Sequence, residues 1–591
     1  MKQRLAALRG ADHLGLWPVL LVAVGLRLYG LAWDGGYLFH PDERFVLSVA
    51  EQVAAWRPAG AVLGRTSPLN PFWNVDEAIP RHFPYGHVTV YLAALAKPLA
   101  GSLAAWTGLD PLVAGARLLA ALADTLAVGL AFLLGRAVGG PKVGWLAAAL
   151  LAGTVLHVQY AHFYTADTLL TPFVLAALLA MVRLASDRSP VISARWPLMA
   201  GGLVGLAAGV KVTGWLLLLP LVVAHLLAGP TAPPGAWRRW RQRPAWGWFG
   251  VSALAAGATF ALTNPYALLD WPRFLSSLAA EAGMVRGVWV APFTEQYVGT
   301  RPYLYTFAQQ ARWFLGFLPA LVAWGGLLVA LARAARGQAT RPELVVLAWC
   351  GPFVVLVGGL FAKFPRYWLA AVPTMYVLGS RALVELGKRT PRLAGAVAGL
   401  TLANALGWAF AFSQIYAQPH PWLQASAWLH EQVPPGAVVA LERWDYPLPV
   451  PLPGQRAANF RQIELDGYDT TVEPGERRRA LERADYVVLA SPRVWLPLLR
   501  RPEGREGQAA VYRRLLAEET DFRVVRIWRV EPRLGPVSFR DDPFARAGLP
   551  TPAAWFEAAP APVTVTLGPV DEGFEVYDHP LVVVLARQAL K

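Results

Sequence analysis

The sequence predicts a polytopic α-helical membrane protein, with about 11–13 transmembrane helices and a C-terminal extracytoplasmic mixed α/β domain. Three observations carry that expectation. Hydrophobic residues fill 55% of the 591 positions and charged ones only 16%, with a mean hydropathy of +0.37. A water-soluble chain of this size carries more charge. Apolar runs of helical length recur along most of the chain. After Tyr416 they give way to short β-rich runs separated by polar and helical stretches.

The first apolar run, Leu14 to Trp33, is long enough to span a bilayer, and Lys2, Arg4 and Arg9 precede it. Such an excess of cations holds the N-terminus in the cytoplasm. The run is long and lacks a small-x-small cleavage site, so it reads as an uncleaved anchor. Next comes a first outer loop, 34–84, containing Phe39-His40-Pro41-Asp42-Glu43-Arg44-Phe45. This reads as the first turn of a short amphipathic helix, where Pro is tolerated and acidic side chains suit the dipole. Further apolar runs begin near Tyr85, Leu112, Val143, Thr168, Pro197, Val212, Trp246, Trp313, Leu344, Tyr367 and Leu393.

The formal charge of +15 falls largely into loops between these runs: Arg238, Arg239, Arg241 and Arg243; Arg333, Arg336 and Arg341; Lys388, Arg389 and Arg392. That is the positive-inside pattern, so the charge reports topology and not nucleic-acid binding. A further basic group, including Arg477 to Arg479, stands outside that rule. Cys350 is the only cysteine, which excludes an intrachain disulfide or a cysteine-based metal site.

Counting back from the basic loops puts the C-terminal domain outside, together with Lys363, Arg366, the 264–312 loop, Lys211 and Asp167. Counting forward also puts Asp42 and Glu43 outside. Three apolar runs nevertheless separate Glu43 from Asp167, an odd number. One of them must fail to cross. Arg136 and Lys142 prefer the cytoplasm, which singles out Tyr85–Trp106. The chain divides into a membrane module, 1–416, and a soluble domain, 417–591. The latter has strands expected at Ala437–Leu441, Tyr486–Ala490, Arg523–Val530, Val563–Leu567 and Leu581–Leu585, and a helix at Trp422–Gln432.

Four polar groups converge on the outer face: Asp42 with Glu43; Asp167 in His162-Phe163-Tyr164-Thr165-Ala166-Asp167-Thr168; Lys211 in Gly209-Val210-Lys211-Val212-Thr213; and Lys363-Phe364-Pro365-Arg366-Tyr367. A Lys at the centre of a membrane helix costs about 2.5–3.5 kcal/mol, so it calls for a partner or a pathway. Snorkelling at a helix hairpin is the plainer account of Lys211, and salt-bridging to the first loop that of Lys363 and Arg366. Together the groups suit other work. The cations fit a lipid phosphate, and a carboxylate fits deprotonation of an acceptor hydroxyl. A lipid phosphate leaving group needs one base and charge neutralisation, not the acid–nucleophile pair of a retaining glycosidase.

On these motifs, in this order and on one side, residues 14–416 resemble the C-type polytopic glycosyltransferases of family 39. That group includes protein O-mannosyltransferases and lipid A aminoarabinose transferases. The carriers are the Asp42–Glu43 pair, Asp167 after its aromatic stretch, Lys211 in Gly-x-Lys, and Arg366-Tyr367 before a late helix. The C-terminal domain departs from the β-trefoil of eukaryotic mannosyltransferases. The resemblance implies a polyprenyl-phosphate-sugar donor, inversion at the anomeric carbon and no obligatory metal or other cofactor. Oligosaccharyltransferases of the superfamily use a divalent ion, which here would fall to Asp42 and Asp167.

The expected roles are these. Asp42 is the base, with Glu43 as its substitute, and Asp167 orients the acceptor or the base. Lys211 and Arg366 hold the donor phosphate, assisted by Lys363. His40, Arg81, His82, Tyr85, His162, Tyr164 and Tyr367 are possible substrate contacts, although Arg81, His82 and Tyr85 fit an interfacial belt equally well. Glu295, Gln296 and Tyr297 are expected to be solvated loop residues. The spacing of His157 and His162 does not suit a helical zinc pair. The expected partners are the lipid-linked donor, membrane lipids and a glycan, lipid or protein acceptor, at a bacterial inner membrane. Alternatives are an oligosaccharide or polymer ligase, a lipid-linked sugar transporter, which calls for a repeated half not seen here, and a non-catalytic glycan-binding protein.

Overall fold

The computed structural model describes residues 15–56, 62–188, 193–229, 243–454, 460–465 and 474–588. Lys2, Arg4, Arg9, Arg238, Arg239 and Arg241, and the side chains of Arg243, Arg477 and Arg478, lie outside the described residues. The chain is a polytopic α-helical membrane protein with a C-terminal mixed α/β region, and it divides into two compact units.

The helical unit comprises Met1–Ala32, His40–Arg286 and Pro302–Ala409. By length and composition five of its described helices can cross a membrane, beginning at Pro111, Ala166, Phe317, Arg341 and Pro391; one bent pair would make six. Shorter apolar helices (Leu16–Leu28, Pro141–Ala152, Val212–Leu227 and Gly247–Thr263) accompany them. Local signals set the ends. Asp110 caps Pro111–Gly139 by accepting from Leu112 N at 2.7 Å. Thr165 caps Ala166–Ser186 and leaves Asp167 in the first turn, where an acidic side chain is favoured.

Charged contacts mark the two ends of this unit. At one end lie Asp42, Asp167 and Lys211. At the other, Glu343 pairs with Arg333 at 3.1 Å and with Arg381 at 3.2 Å. Arg341 there bonds Ala185 O at 3.3 Å. Asp167 and Ala185 belong to one helix and stand about 27 Å apart at 1.5 Å per residue, close to the hydrocarbon thickness of a bilayer.

This polarity answers the crossing count. The Tyr85–Trp106 run folds as His87–Leu99 and Gly101–Thr107, bent by 80°. Its start is tied to the Lys211 end, because Gly86 N donates to Val210 O at 2.9 Å. Only glycine allows that approach, since a Cβ on Gly86 would fall 1.9 Å from Gly209 O. Its end leads through Asp110 into Pro111–Gly139, whose Arg117 meets Glu43 two turns later. Both ends therefore lie at the Asp42 end of the unit, the arrangement of a re-entrant pair. Pro111–Gly139 leads away, and Pro141–Ala152 with Val155–Tyr160 leads back.

The second unit comprises Phe410–Lys591 with two insertions from earlier in the chain, Trp33–Phe39 and Gly287–Arg301. Its five-stranded sheet runs in the order 461–464, 438–441, 486–489, 582–587, 522–528. The first three strands are parallel, and 582–587 is antiparallel to both its neighbours. Alternation along the strands fills both faces, as the two-residue period requires. Ala440, Val487, Leu489, Val583 and Leu585 join one core with the helices Trp495–Arg500 and Glu506–Leu516. Val439, Leu441, Val488, Val582 and Val584 join another with Pro421–Gln432, through Trp422, Ala425 and Leu429. Phe39 belongs to this second core, its ring 4.9 Å from that of Trp422.

The expectation that Glu295, Gln296 and Tyr297 are solvated is corrected within this unit. Glu295 pairs with Arg505 at 2.5 Å, Gln296 accepts from Glu572 N at 3.0 Å, and Tyr297 is buried. The strands 461–464 and 537–540 are additions to those read from the sequence.

Candidate active site

The helix Pro41–Ala54 starts at His40, whose Nδ1 accepts from Asp42 N at 3.2 Å. Pro41 at the first helical position fits, because its missing N–H would have had no partner. This cap fixes Asp42 and Glu43 on adjacent positions that differ by about 100° around the helix. The two carboxylates consequently meet different partners.

Asp42 Oδ2 lies 3.1 Å from Arg366 Nε, and both side chains keep some solvent access, 14% and 13%. Asp167 Oδ2 lies 3.9 Å from the same nitrogen. Asp167 also takes Lys211 Nζ on both oxygens, at 2.7 and 2.8 Å. Lys211 is delivered by a break: Arg195–Val210 ends at it in extended conformation, and a 3₁₀ turn, Val212–Leu217, follows. Tyr367 floors the cluster, its ring 4.6 Å from Lys211 Nζ, while Arg366 lies 4.4 Å above the Phe364 ring. The Tyr85 hydroxyl bonds Asp42. Two carboxylates, two cations and two phenols thus form one connected, partly open group.

The electrostatics favour charge on Asp42. Burial alone would raise its pKa. Arg366, His40 and Lys211, with the Tyr85 hydrogen bond, outweigh burial and hold it below the ordinary carboxylate range. Burial depresses Arg366, but Asp42 more than compensates and its pKa stands well above the usual value. Tyr85 is held well above the ordinary phenol range by burial first and then by the Asp42 charge, so it remains a hydrogen-bond donor.

Glu43 faces the other way. Arg117 Nε and Nη2 each lie 3.0 Å from its two oxygens, and Tyr164 N donates to Oε1 at 3.1 Å. Both charged side chains are 0% exposed. The expectation of Glu43 as a substitute base meets a geometry that does not serve it, because its lone pairs are engaged inside the protein. His162 stands between Val158 O at 2.8 Å and Tyr29 O at 2.9 Å, and Tyr164 donates to Thr89 O at 2.6 Å. Both are buried framework residues. Lys363 turns back to donate to Phe361 O at 3.0 Å and is 5% exposed. Arg81 bonds Gln52 at 2.8 Å, and half-exposed His82 faces Glu281 at 3.4 Å. Of the expected contacts, Tyr85 and Tyr367 join the cluster directly, and His40 sets the backbone beneath Asp42.

Sequence reasoning passed over Arg117 and a fully buried triad. In the triad, Asp124 binds Arg27 Nε and His157 Nδ1, each at 2.6 Å. Arg27 also reaches Ala152 O at 3.1 Å. The signal was present, since Arg117 and Asp124 are charges inside a 29-residue apolar helix. The rule that selected Lys211 applies to them equally. Among the described residues no three His, Cys, Asp or Glu side chains gather as metal ligands. The two carboxylates named for an ion, Asp42 and Asp167, both face Arg366.

Residues 110–262 match the family model described as dolichyl-phosphate-mannose-protein mannosyltransferase, a likeness to the C-type glycosyltransferase superfamily over about a quarter of the chain. No curated protein matches the sequence. Among solved structures the chain is similar to ArnT from Cupriavidus metallidurans bound to undecaprenyl phosphate, at 18% identity and a TM-score of 0.46, covering 82% of this chain and 94% of that one. It is also similar to the oligosaccharyltransferase AglB from Archaeoglobus fulgidus in complex with an inhibitory peptide and a dolichol-phosphate. There the identity is 14%, the TM-score 0.48, and the coverage 85% of this chain and 72% of that one. A third is the arabinofuranosyltransferase AftD from Mycobacteria, at 15% identity and a TM-score of 0.40, covering 98% of this chain and 42% of that one.

Proposed function

We propose that the helical module transfers a glycosyl group from a polyprenyl-phosphate-linked sugar to an acceptor hydroxyl, with inversion at the anomeric carbon. The observation that carries this reading is the joint cluster of Asp42, Asp167, Lys211 and Arg366, four charged groups within 3.9 Å of a partner. Asp42 takes the acceptor proton as the acceptor oxygen bonds to the anomeric carbon. The bond from that carbon to the phosphate oxygen breaks, and the departing lipid phosphate gains a negative charge. Lys211 and Arg366 neutralise it, Arg with a planar donor set that matches phosphate. Asp167 holds both cations in position. The same two cations supply the charge neutralisation that a divalent ion would otherwise give.

The ion pair between Asp42 and Arg366 is then a resting arrangement. A donor phosphate competes for the guanidinium, and Asp42 becomes more basic as its counter-ion is shared. Glu43 and Arg117 act as positioning residues, fixing the helix that carries Asp42. The orientation follows from charge: Arg333, Arg336, Arg341, Arg381 and Arg389 belong to the end away from the cluster, favouring a cytoplasmic location for that end. On this reading the N-terminus is cytoplasmic in an inner membrane, residues 1–416 carry catalysis, and residues 417–591 form an extracytoplasmic domain. The test is incubation of the purified full chain with a panel of polyprenyl-phosphate sugars and a mixed acceptor pool, following released lipid phosphate. Release dependent on Asp42 and on acceptor is expected. Binding of every donor without release from any would overturn the transfer reading.

A further inference from the structure

The helical unit holds a second lined space that the transfer reading does not use. It is a groove of about 760 Å³ between the helices Phe317–Ala335, Val372–Gly387 and Pro391–Ser413, with its mouth at the end opposite Asp42. Its volume falls within the range of about 300–1,000 Å³ usual for small-ligand sites. The first two helices touch backbone to backbone where Gly326 meets Gly379: a Cβ on Gly326 would fall 2.2 Å from Gly379 Cα. Both glycines line the groove. Leu321, Gly325, Val329, Leu383, Leu386 and Val397 give it an apolar wall. From Leu318 to Arg333 the wall runs about 22 Å along one helix at 1.5 Å per residue, longer than the roughly 15 Å of one leaflet's hydrocarbon.

The mouth is basic. Arg333, Arg336, Arg381 and Arg389 line it, against Glu343 and Glu385. Glu343 is buried and already shared by Arg333 and Arg381. Arg336 and Arg389 are exposed and have no carboxylate partner among the described residues. We infer that this groove binds an anionic phospholipid, its acyl chain along the apolar wall and its phosphate between Arg336 and Arg389. A basic pocket between membrane helices is a chemistry that anionic head groups satisfy. A second copy of the chain is the poorer occupant, because a two-fold contact through this face would bring the same arginines together.

The site is separate from the carboxylate cluster and does not depend on the transfer reading. The experiment is native mass spectrometry of the full-length protein in detergent with phosphatidylglycerol or phosphatidylcholine. Wild type is expected to retain phosphatidylglycerol preferentially. Arg336→Ala with Arg389→Ala should lower that affinity by roughly 25-fold, each such cation being worth about fivefold near an anionic group. Gly325→Phe should block both lipids by filling the groove, where a Cβ at Gly325 meets nothing within 4 Å. It should leave lipid-phosphate release at the other end unchanged. Equal retention of the two lipids by wild type, undiminished phosphatidylglycerol binding in both variants, or a dimer that the variants dissociate would each overturn the proposal. Should Gly325→Phe misfold, the arginine variant decides alone.

Discussion

Replacing Asp42 by Asn separates two effects that the cluster ties together. The amide keeps the shape of the carboxylate and removes its charge and basicity. In the resting protein Asp42 and Arg366 stand 3.1 Å apart; at an effective dielectric constant of about 20 that is a Coulombic attraction of about 5 kcal/mol before desolvation. The cluster's two carboxylates balance its two cations, so a donor phosphate must compete with Asp42 for the guanidinium. Removing Asp42's charge leaves a net positive group, with Asp167 already holding Lys211 at 2.7 Å. Hydrogen bonds to charged groups contribute about 1.5–3 kcal/mol, so polyprenyl phosphate should bind roughly 10- to 100-fold more tightly. Turnover should fall by roughly 10²–10⁴-fold with loss of the base. Lipid-phosphate binding by calorimetry and single-turnover release give the two readouts. Wild-type turnover, or weakened phosphate binding in the Asn protein, would refute the reasoning. The pH dependence follows with the same sign. A carboxylate held below its ordinary range stays ionised at neutral pH, so wild-type transfer is flat there. At limiting donor, where the free protein is titrated, it declines only as pH falls through that depressed value, as does Asp42's contribution to stability. The Asn protein lacks both.

Lys211→Met and Arg366→Met should each weaken donor binding more than acceptor binding, read as the affinity for lipid phosphate against acceptor KM at saturating donor; an effect confined to the acceptor would dissociate these cations from the phosphate. Arg117→Met leaves Glu43 charged and buried without its partner, a change that costs about 3–5 kcal/mol in comparable pairs. Its melting temperature should drop sharply, and pairing it with Glu43→Leu should recover much of the loss. Full transfer in that double variant would confirm a positioning role, whereas abolished transfer in a well-folded double variant would return Glu43 to the chemistry. In the second unit, burial pushes Glu575 up to about 7 against the opposing charge of His579. A raised carboxylate pKa stabilises the fold fully below the unfolded value and loses that contribution as pH rises through about 7. Glu575→Gln should flatten the melting temperature of this unit between pH 5 and 8, and an unchanged slope would assign the dependence elsewhere.

Much of this architecture is legible in the sequence because its signals are local. The tail strands Val438–Leu441, Tyr486–Leu489 and Val582–Arg587 follow from runs of β-branched residues, and Pro421–Gln432 from a helical period in Trp422, Ala425 and Leu429. The misfit of Tyr85–Trp106 is legible too, as a parity conflict, and the run is bent by 80° in the fold. What local signals cannot give is membership. Trp33–Phe39 and Gly287–Arg301 lie beside apolar segments in the chain yet belong to the α/β unit. Phe39 has its core partners nearly 400 residues away, Glu295 its cation at Arg505. No composition window joins such segments. Strand 461–464 is illegible for a different reason: three of its four residues are exposed and three, Arg461, Gln462 and Glu464, are polar or charged, so it lacks an apolar face to read.

The adjacent acidic residues of the first loop show where site prediction reaches its physical limit. Side by side in sequence, Asp42 and Glu43 are equivalent candidates for a base. A helix turns by about 100° per residue, so once His40 caps it only one of the two can face any given direction. Which one faces the cluster is decided by cations carried on other elements. Arg117 lies 74 residues beyond Glu43 and captures it with two hydrogen bonds at 3.0 Å, while Arg366 arrives on a late turn beside Asp42. Each cation is costly to bury alone and each carboxylate likewise, so the two pairings specify one another. A charge inside an apolar run is readable from sequence as a demand for a partner; the identity of the partner is not. Had Arg117 been treated as Lys211 was, the chain would have presented two buried cations and three carboxylates. The sequence would then have posed the right question, namely which carboxylate is left with solvent access. In the folded unit Asp42 retains 14% exposure, Asp167 6% and Glu43 none. On the transfer reading, that graded access, more than proximity to a cation, singles out Asp42 as the carboxylate open to an acceptor.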